Sequence, residues 1–298
     1  MRTRAVAMAL VTVLAAAACG SSKGTTASPA GSAGSNPCAK GNLTLVTPGQ
    51  LTIGTDNPAF DPYFQGPTGH EWKGQFNHDP YNDQGFEDAT AYAVAEQLGF
   101  QKSDVNWVAV PFNNSYKPGP KNFDFYLAQV SYSPQRAQGA DLSDSYYDVQ
   151  QAVVALQGTP IANVTTLAGL KSYRFGTQIG TTSYDVIKSV IQPTQSTQVY
   201  DTLNAALQAL KNKQIDGLVV DFPTAYYMAN VQLSNGTVVG ILPSADSGSK
   251  EHFSMVLQKG SPLTQCVNGA LSALRADGTL AQIQDRWLNQ AAHAPNLQ

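Results

Sequence analysis

From about residue 49 onward, short β-branched runs alternate with Ala- and Leu-rich stretches at helical spacing. That rhythm limits the fold more than any other feature, because strands that alternate with helices build α/β layers with mainly parallel sheets. LTIGTD (51–56) predicts a first strand, GFEDATAYAVAEQLGF (85–100) a helix with Glu87 and Asp88 at its positive end, and VNWVAVPF (105–112) a second strand. FDFYLAQVSYS (123–133) predicts a third strand, and DSYYDVQQAVVAL (144–156) an extended crossover. The rhythm then repeats. A strand is expected at 173–179, a helix after the GTT turn, a strand at 197–200, helix 202–214, strand 215–221, a helix from 222 with Pro223 in its first turn, and strand 238–243. The chain returns through a strand at 253–258 and closes with helices 262–278 and 279–290.

A chain of 298 residues suits two lobes rather than one small core. With 18 Lys and Arg against 21 Asp and Glu, and no basic run beyond the first residues, nothing points to nucleic acid as a partner. Arg2 and Arg4 precede the apolar run Ala5–Ala18, which is short for a membrane span and has the form of an export signal. Cys19 follows at once, and then GSSKGTTASPAGSAGSNP (20–37), which has the composition of a flexible tether. LAAAAC (14–19) resembles the lipobox of bacterial lipoproteins, although Ala16 stands where those signals prefer leucine. The resemblance implies acylation at Cys19 and anchoring to the outer face of the cell membrane through that lipid. Ordinary cleavage near Ala18, with Cys19 incidental, is the alternative. In an exported chain Cys38 and Cys266 form an even set once Cys19 carries lipid, and a bridge would join the two ends of the folded part. Two unrelated thiols, or a pairing that uses Cys19, are the other options.

Two opposite charges stand out. Arg136 closes SYSPQR (131–136), and Asp221 ends the strand in IDGLVVDFPTAYYMA (215–229). Each lies at the end of an expected strand, the end where α/β sheets hold ligands, as do Asp56, Ser131 and the Gly180 turn. A free α-amino acid needs a cation for its carboxylate and an anion for its ammonium. An arginine in a turn is otherwise a surface residue, and an aspartate before a helix is otherwise an N-cap.

Taken in order, LTIGTDNPAFDPY, GFEDATAYAVAEQLG, SYSPQR, QIGTTSYD, ALKNKQIDGLVVDFPTAYYMA and ALSALRADGTLAQIQDRWL resemble the extracytoplasmic solute-binding proteins of family 3, which serve amino-acid ABC transporters. The resemblance spans about residues 49–290. It implies the type II periplasmic-binding-protein fold: two α/β lobes, residues 38–148 with 249–298 and residues 149–248, behind a signal peptide (1–18) and a tether (19–37), joined by two crossover strands. It implies that Arg136 forks onto the ligand α-carboxylate, where a guanidinium donates two parallel hydrogen bonds. It implies that Ser131 contacts the ligand backbone and that the amides of Gly180, Thr181 and Thr182, at a helix N-terminus, help hold the carboxylate. Asp221 then takes the ammonium, and Phe60 lies against the ligand side chain. Phe112 and Tyr116 are further candidates for the pocket wall. The partners implied are a polar amino acid and a membrane permease, with no cofactor.

The chain departs from the family pattern in a long polar loop before the first helix, with HEW and FNHDPYNDQ (residues 65–84), and in NNSYKPGPKNF (113–123), where proline and glycine replace a helix. Gln129 and Ala128 stand where several relatives have small hydroxyl residues. No phosphate-cradling loop, nucleophile elbow or Cys/His metal spacing occurs. His70 and His78 share the long loop with Glu71, Asp79 and Asp83, without an EF-hand pattern. The expected function is that of a binding protein, not an enzyme. The alternatives are a cyclohexadienyl dehydratase on the same fold, with Asp56, Asp61 or Glu87 as its acid, and an extracellular sensor.

Overall fold

The computed structural model of the chain describes residues 36–66, 79–245, 250–288 and 294–298. The signal peptide, Cys19, nearly all of the tether and most of the long polar loop, with His70, Glu71 and His78, lie outside the described residues.

In chain order the first half contains β1 (Leu51–Thr55), α1 (Phe86–Gln97), β2 (Val105–Ala109), α2 (Phe112–Ser115), β3 (Phe125–Tyr126), α3 (Arg136–Gly139), β4 (Ala140–Leu142) and β5 (Tyr147–Asp148). There follow β6 (Gln151–Leu156), α4 (Leu167–Leu170), β7 (Phe175–Gln178), α5 (Thr182–Val186), β8 (Gln198–Tyr200), α6 (Leu203–Lys211), β9 (Gly217–Asp221), α7 (Phe222–Tyr227) and β10 (Gly236–Ile241). The return is made by β11 (His252–Phe253), β12 (Val256–Gln258), α8 (Leu263–Ala276) and α9 (Thr279–Leu288).

These strands form two five-stranded sheets, β2-β1-β3-β12-β4 and β10-β6-β9-β7-β8, one in each lobe. The parallel expectation holds for β1 with β2 and β3, and for β7 with β8 and β9. It fails where β12 returns antiparallel to β3 and β4, and where β6 lies antiparallel between β9 and β10. All six residues of β6 are buried. Ala152, Val154 and Leu156 join one apolar cluster, while Val153 and Ala155 join another, as the two-residue period of a strand covered on both faces requires. The first sheet divides likewise: Leu51 and Ile53 pack under α1 and α8, and Tyr126 and Val256 pack toward α2.

Several expected elements are shorter than the sequence pattern. The strand expected over 123–133 takes regular strand form only at Phe125–Tyr126, with one further bridge from Ser131 to Phe253. Gln129, at φ +54°, takes the left-handed conformation and turns the chain out of the sheet, so that its N–H meets Glu87 Oε1 at 2.7 Å. The expected strand 105–112 stops at Ala109, and the chain then forms the helical turn α2, led by Pro111, inside a stretch expected to lack a helix. The helix after the GTT turn widens over Ile187–Ile191 into a π-helical turn.

Between the sheets, β5 and β11 pair antiparallel, so the two crossovers run side by side, with Val149 N donating to Glu251 O at 2.9 Å. Cys38 and Cys266 form a disulfide with Cα atoms 5.3 Å apart, at the edge of the first-lobe core. The expectation that all of 249–298 belongs to the first lobe is corrected at the C-terminus. Ile241 N donates to Pro295 O, Leu297 N donates to Ile241 O, and the Leu297 side chain is buried among Val153, Val219 and Leu242 of the second lobe. Leu297 is the apolar anchor that makes this placement favourable.

Candidate functional site

Strand ends supply most of the site. Asp56 follows β1, Asp221 closes β9, and the Thr181–Thr182 turn follows β7. Their side chains face a cavity of about 550 Å³ between the lobes, which Phe60, Gln129, Ser131 and Arg136 line from the first-lobe side. Of the residues expected at the ligand, Arg136, Asp221, Ser131, Thr181, Thr182 and Phe60 therefore share one cavity. Gly180 stands apart, in a second cavity of about 380 Å³ behind Arg136, which also contains Tyr116 and Lys117. Gly180 has φ +76°, and a Cβ there would collide with the Asn113 side chain, so glycine is needed at this turn.

Arg136 is 7% exposed and held on four sides. Its Nη1 donates to Ser131 O and its Nη2 to Gly180 O at 2.7 Å. The rings of Phe112 and Tyr116 flank the guanidinium, with centroids 5.4 and 4.8 Å away. A guanidinium has five N–H groups, so these two bonds leave donors for a ligand. It is the Gly180 carbonyl that meets Arg136, whereas the expectation concerned the Gly180 amide.

Asp221 is the cap position of α7, yet its side chain makes no capping bond. Its Oδ1 accepts from Gln151 Nε2 at 2.6 Å. Burial, and after it the charge of Glu251, push the Asp221 carboxyl well above its ordinary range. Asp56 is a second acid in the cavity wall. Burial raises it to about 6, although the Asn57 and Phe112 amides donate to it. Glu87 lies deeper, raised by burial to about 7, and accepts from Tyr146 Oη and from the Gln129 backbone and side chain. Among the described residues the cavity lining has one cation, Arg136, against Asp56, Asp201 and Asp221. Three more lining residues, Thr55, Asn57 and Gln232, each carry a buried side-chain oxygen with no partner among the described residues.

Hydrogen bonds also join the lobes directly. Tyr63 Oη and Thr224 Oγ1 are 3.0 Å apart, and Tyr227 Oη donates to Asp61 Oδ2 at 3.0 Å. Asp61 is thus engaged by the second lobe and is not among the residues lining the cavity. Among the described residues no His, Cys, Asp and Glu group is arranged to hold a metal ion.

The model of the bacterial extracellular solute-binding proteins, family 3, matches residues 74–290. The chain belongs to that family. The ABC transporter arginine-binding protein 1 of Escherichia coli K12 is 29% identical over 211 residues, covering 69% of this chain and 82% of that protein. The arginine-binding extracellular protein ArtP of Bacillus subtilis 168 is 24% identical over 214 residues, covering 69% of this chain and 78% of ArtP. Among solved structures, an ancestral arginine-binding protein bound to glutamine superimposes with a TM-score of 0.63 at 26% identity, covering 81% of this chain and 98% of the ancestral one. The two-lobed type II fold and the reading as an amino-acid-binding protein rather than an enzyme rest on these likenesses. They also place the chain with exported proteins.

Sequence reasoning placed Asp56 at a ligand-holding strand end, like Asp221, but gave it a role only as a possible catalytic acid. It missed Gln151, Glu251 and Gln232, which carry no motif. Phe112 lines the main cavity, and Tyr116 flanks Arg136 from the second one.

Proposed function

We propose that this family member binds a free α-amino acid with a cationic, donor-rich side chain and hands it to the permease of an ABC transporter. Arg136, with Ser131 and the Thr181–Thr182 turn, receives the carboxylate, and Asp221 receives the ammonium. Phe60 packs on the side-chain methylenes. The carrying observation is the surplus of acceptors left once Arg136 and Asp221 are matched to the two backbone charges. Among the described residues Asp56 is an acid without a cation beside it, and Asn57 and Gln232 add buried oxygens that lack donors. A guanidinium or ammonium side chain answers all three, and a carboxylate side chain would meet like charge. The relatives named for arginine support the same reading. The lobes in this proposal are residues 38–148 with 249–288, and 149–248 with the C-terminal segment. The chain is anchored by lipid at Cys19.

A thermal-shift screen against the twenty amino acids, followed by calorimetry, tests the ligand class. Arginine, lysine or histidine should raise Tm most, by mass action on the folded state. Equal response to glutamate and arginine, or no response to any amino acid, would sink the reading. Labelling cells with a radioactive fatty acid tests the anchor: label should enter the wild-type protein and be absent from Cys19→Ala.

A further inference from the structure

Glu251 sits on the returning crossover and does not line the main cavity, yet it is bonded to the residues that do. Thr182 Oγ1 donates to Glu251 Oε1 at 2.5 Å. Gln151, 2% exposed, begins β6 and stands between Glu251 and Asp221. Its Nε2 lies 2.6 Å from Asp221 Oδ1 and 3.1 and 3.3 Å from the two Glu251 oxygens. Ionised carboxylates only accept, so the atom facing them is the amide nitrogen, and Ser183 Oγ donates to the Gln151 oxygen on the other side at 2.7 Å. The Ser183 bond on one side and the acids on the other thus orient the Gln151 amide.

We propose, on the amino-acid reading of the cavity, that Glu251 is a positioning residue of the binding site. It fixes Thr182 directly and Asp221 through Gln151, without touching the ligand. Two acids then share one neutral amide, and the ligand ammonium is the cation that completes the group. The other charged or titratable groups turned toward this pair are the Arg136 guanidinium, Glu87 of α1, and the phenols of Tyr63, Tyr146 and Tyr147. Lys250 is next in sequence, but its side chain is exposed and 3.9 Å from Asp148. Burial and the Glu251 charge push the Asp221 carboxyl upward, and an arriving ammonium would act in the opposite direction.

The test is calorimetry of L-arginine binding in two buffers of different protonation enthalpy, at pH 6 and pH 8, for wild type, E251Q and Thr182→Val. Wild type should release protons on binding and bind more tightly at pH 8. E251Q should weaken binding about tenfold, the scale of one hydrogen bond to a charged group, and release fewer protons, because one of the two influences that raise the Asp221 carboxyl is gone. Asp56 and Glu87 titrate in the same range in both proteins, so the difference between the two isolates the pair. Combining E251Q with Thr182→Val should cost less than the product of the separate effects, since both break the same bond. Wild-type affinity in E251Q, weakened affinity with wild-type proton release, or strictly multiplicative effects in the double variant would each overturn the proposal. A wild-type protein that binds no amino acid would overturn the ligand reading and this proposal together. Failure of E251Q alone leaves that reading intact.

Discussion

The two walls of the cleft hold their key charges in different ways. On the first-lobe wall, Arg136 is wedged between two rings and tied to two backbone carbonyls, one of them Gly180 on the opposite lobe. On the second-lobe wall, Asp221 is half-buried, is held by one amide and faces another acid. The cation is fixed by backbone carbonyls and aromatic faces. The anion is fixed by an amide shared with a second acid, and burial with that acid's charge pushes its carboxyl upward. Orientation of the ligand carboxylate should therefore be insensitive to pH, and capture of the ammonium should depend on it.

The largest effect expected from breaking this asymmetry is that of Arg136→Ala. Loss of two charge-assisted bonds should weaken amino-acid binding by at least ~100-fold, at about 1.5–3 kcal/mol per bond. Arg136→Lys should recover little of it, because an ammonium cannot reproduce the planar fork. Calorimetric affinity within a few-fold of wild type in either variant would remove Arg136 from the site. Asp221→Asn keeps the shape and removes the charge, and should weaken binding ~10–100-fold and flatten its pH dependence. A loss of affinity with the pH profile unchanged would show that the asymmetry is misassigned.

Asp56→Asn sharpens the comparison within the first lobe. Affinity for arginine should fall about tenfold, while affinity for glutamine, which places no charge there, should change little. Equal losses for both ligands would mean that Asp56 supports the fold and does not read the side chain.

The smallest effect is on stability. Asp56, at about 6, and Glu87, at about 7, are raised above ordinary carboxylate values by burial. The folded protein thus keeps protons that the unfolded chain has already released above about pH 4.5. That contribution is present at low pH and is lost as pH rises through 6 and 7. Tm without added amino acid should fall by a few degrees between pH 5 and pH 8, while ligand affinity rises over the same range. A Tm that climbs across this interval would show that other groups dominate.

Much of the molecule was legible in the sequence because strand and helix periods are local signals. The short apolar run in IDGLVVD, read as a buried strand, located β9, and the strand-end rule then placed Asp221 in the cleft. Arg136 and Ser131 were found through SYSPQR, although the strand meant to carry them is mostly irregular backbone. The turn at Gln129 left no trace, since a non-glycine residue with positive φ is not announced by its neighbours. The single helical turn α2 was hidden by the prolines and glycine that follow it. Glu251 and Gln151 could not be found, because their role comes from two crossovers lying side by side, a contact between residues 100 positions apart. The place of Leu297 is of the same kind: one apolar residue near the chain end reveals nothing about which core receives it.

That last placement has a mechanical consequence. The chain passes between the lobes at the two paired crossovers and a third time between Leu288, which packs on the first core, and Leu297, which packs in the second. Three passages are an odd number, so the two ends of the described domain rest on different lobes. Cys38 is stitched to one and Leu297 is buried in the other. A pair of dyes, one attached just before Cys38 and one after Gln298, would therefore serve as a ruler for the gap between the lobes, with no engineered position inside either of them.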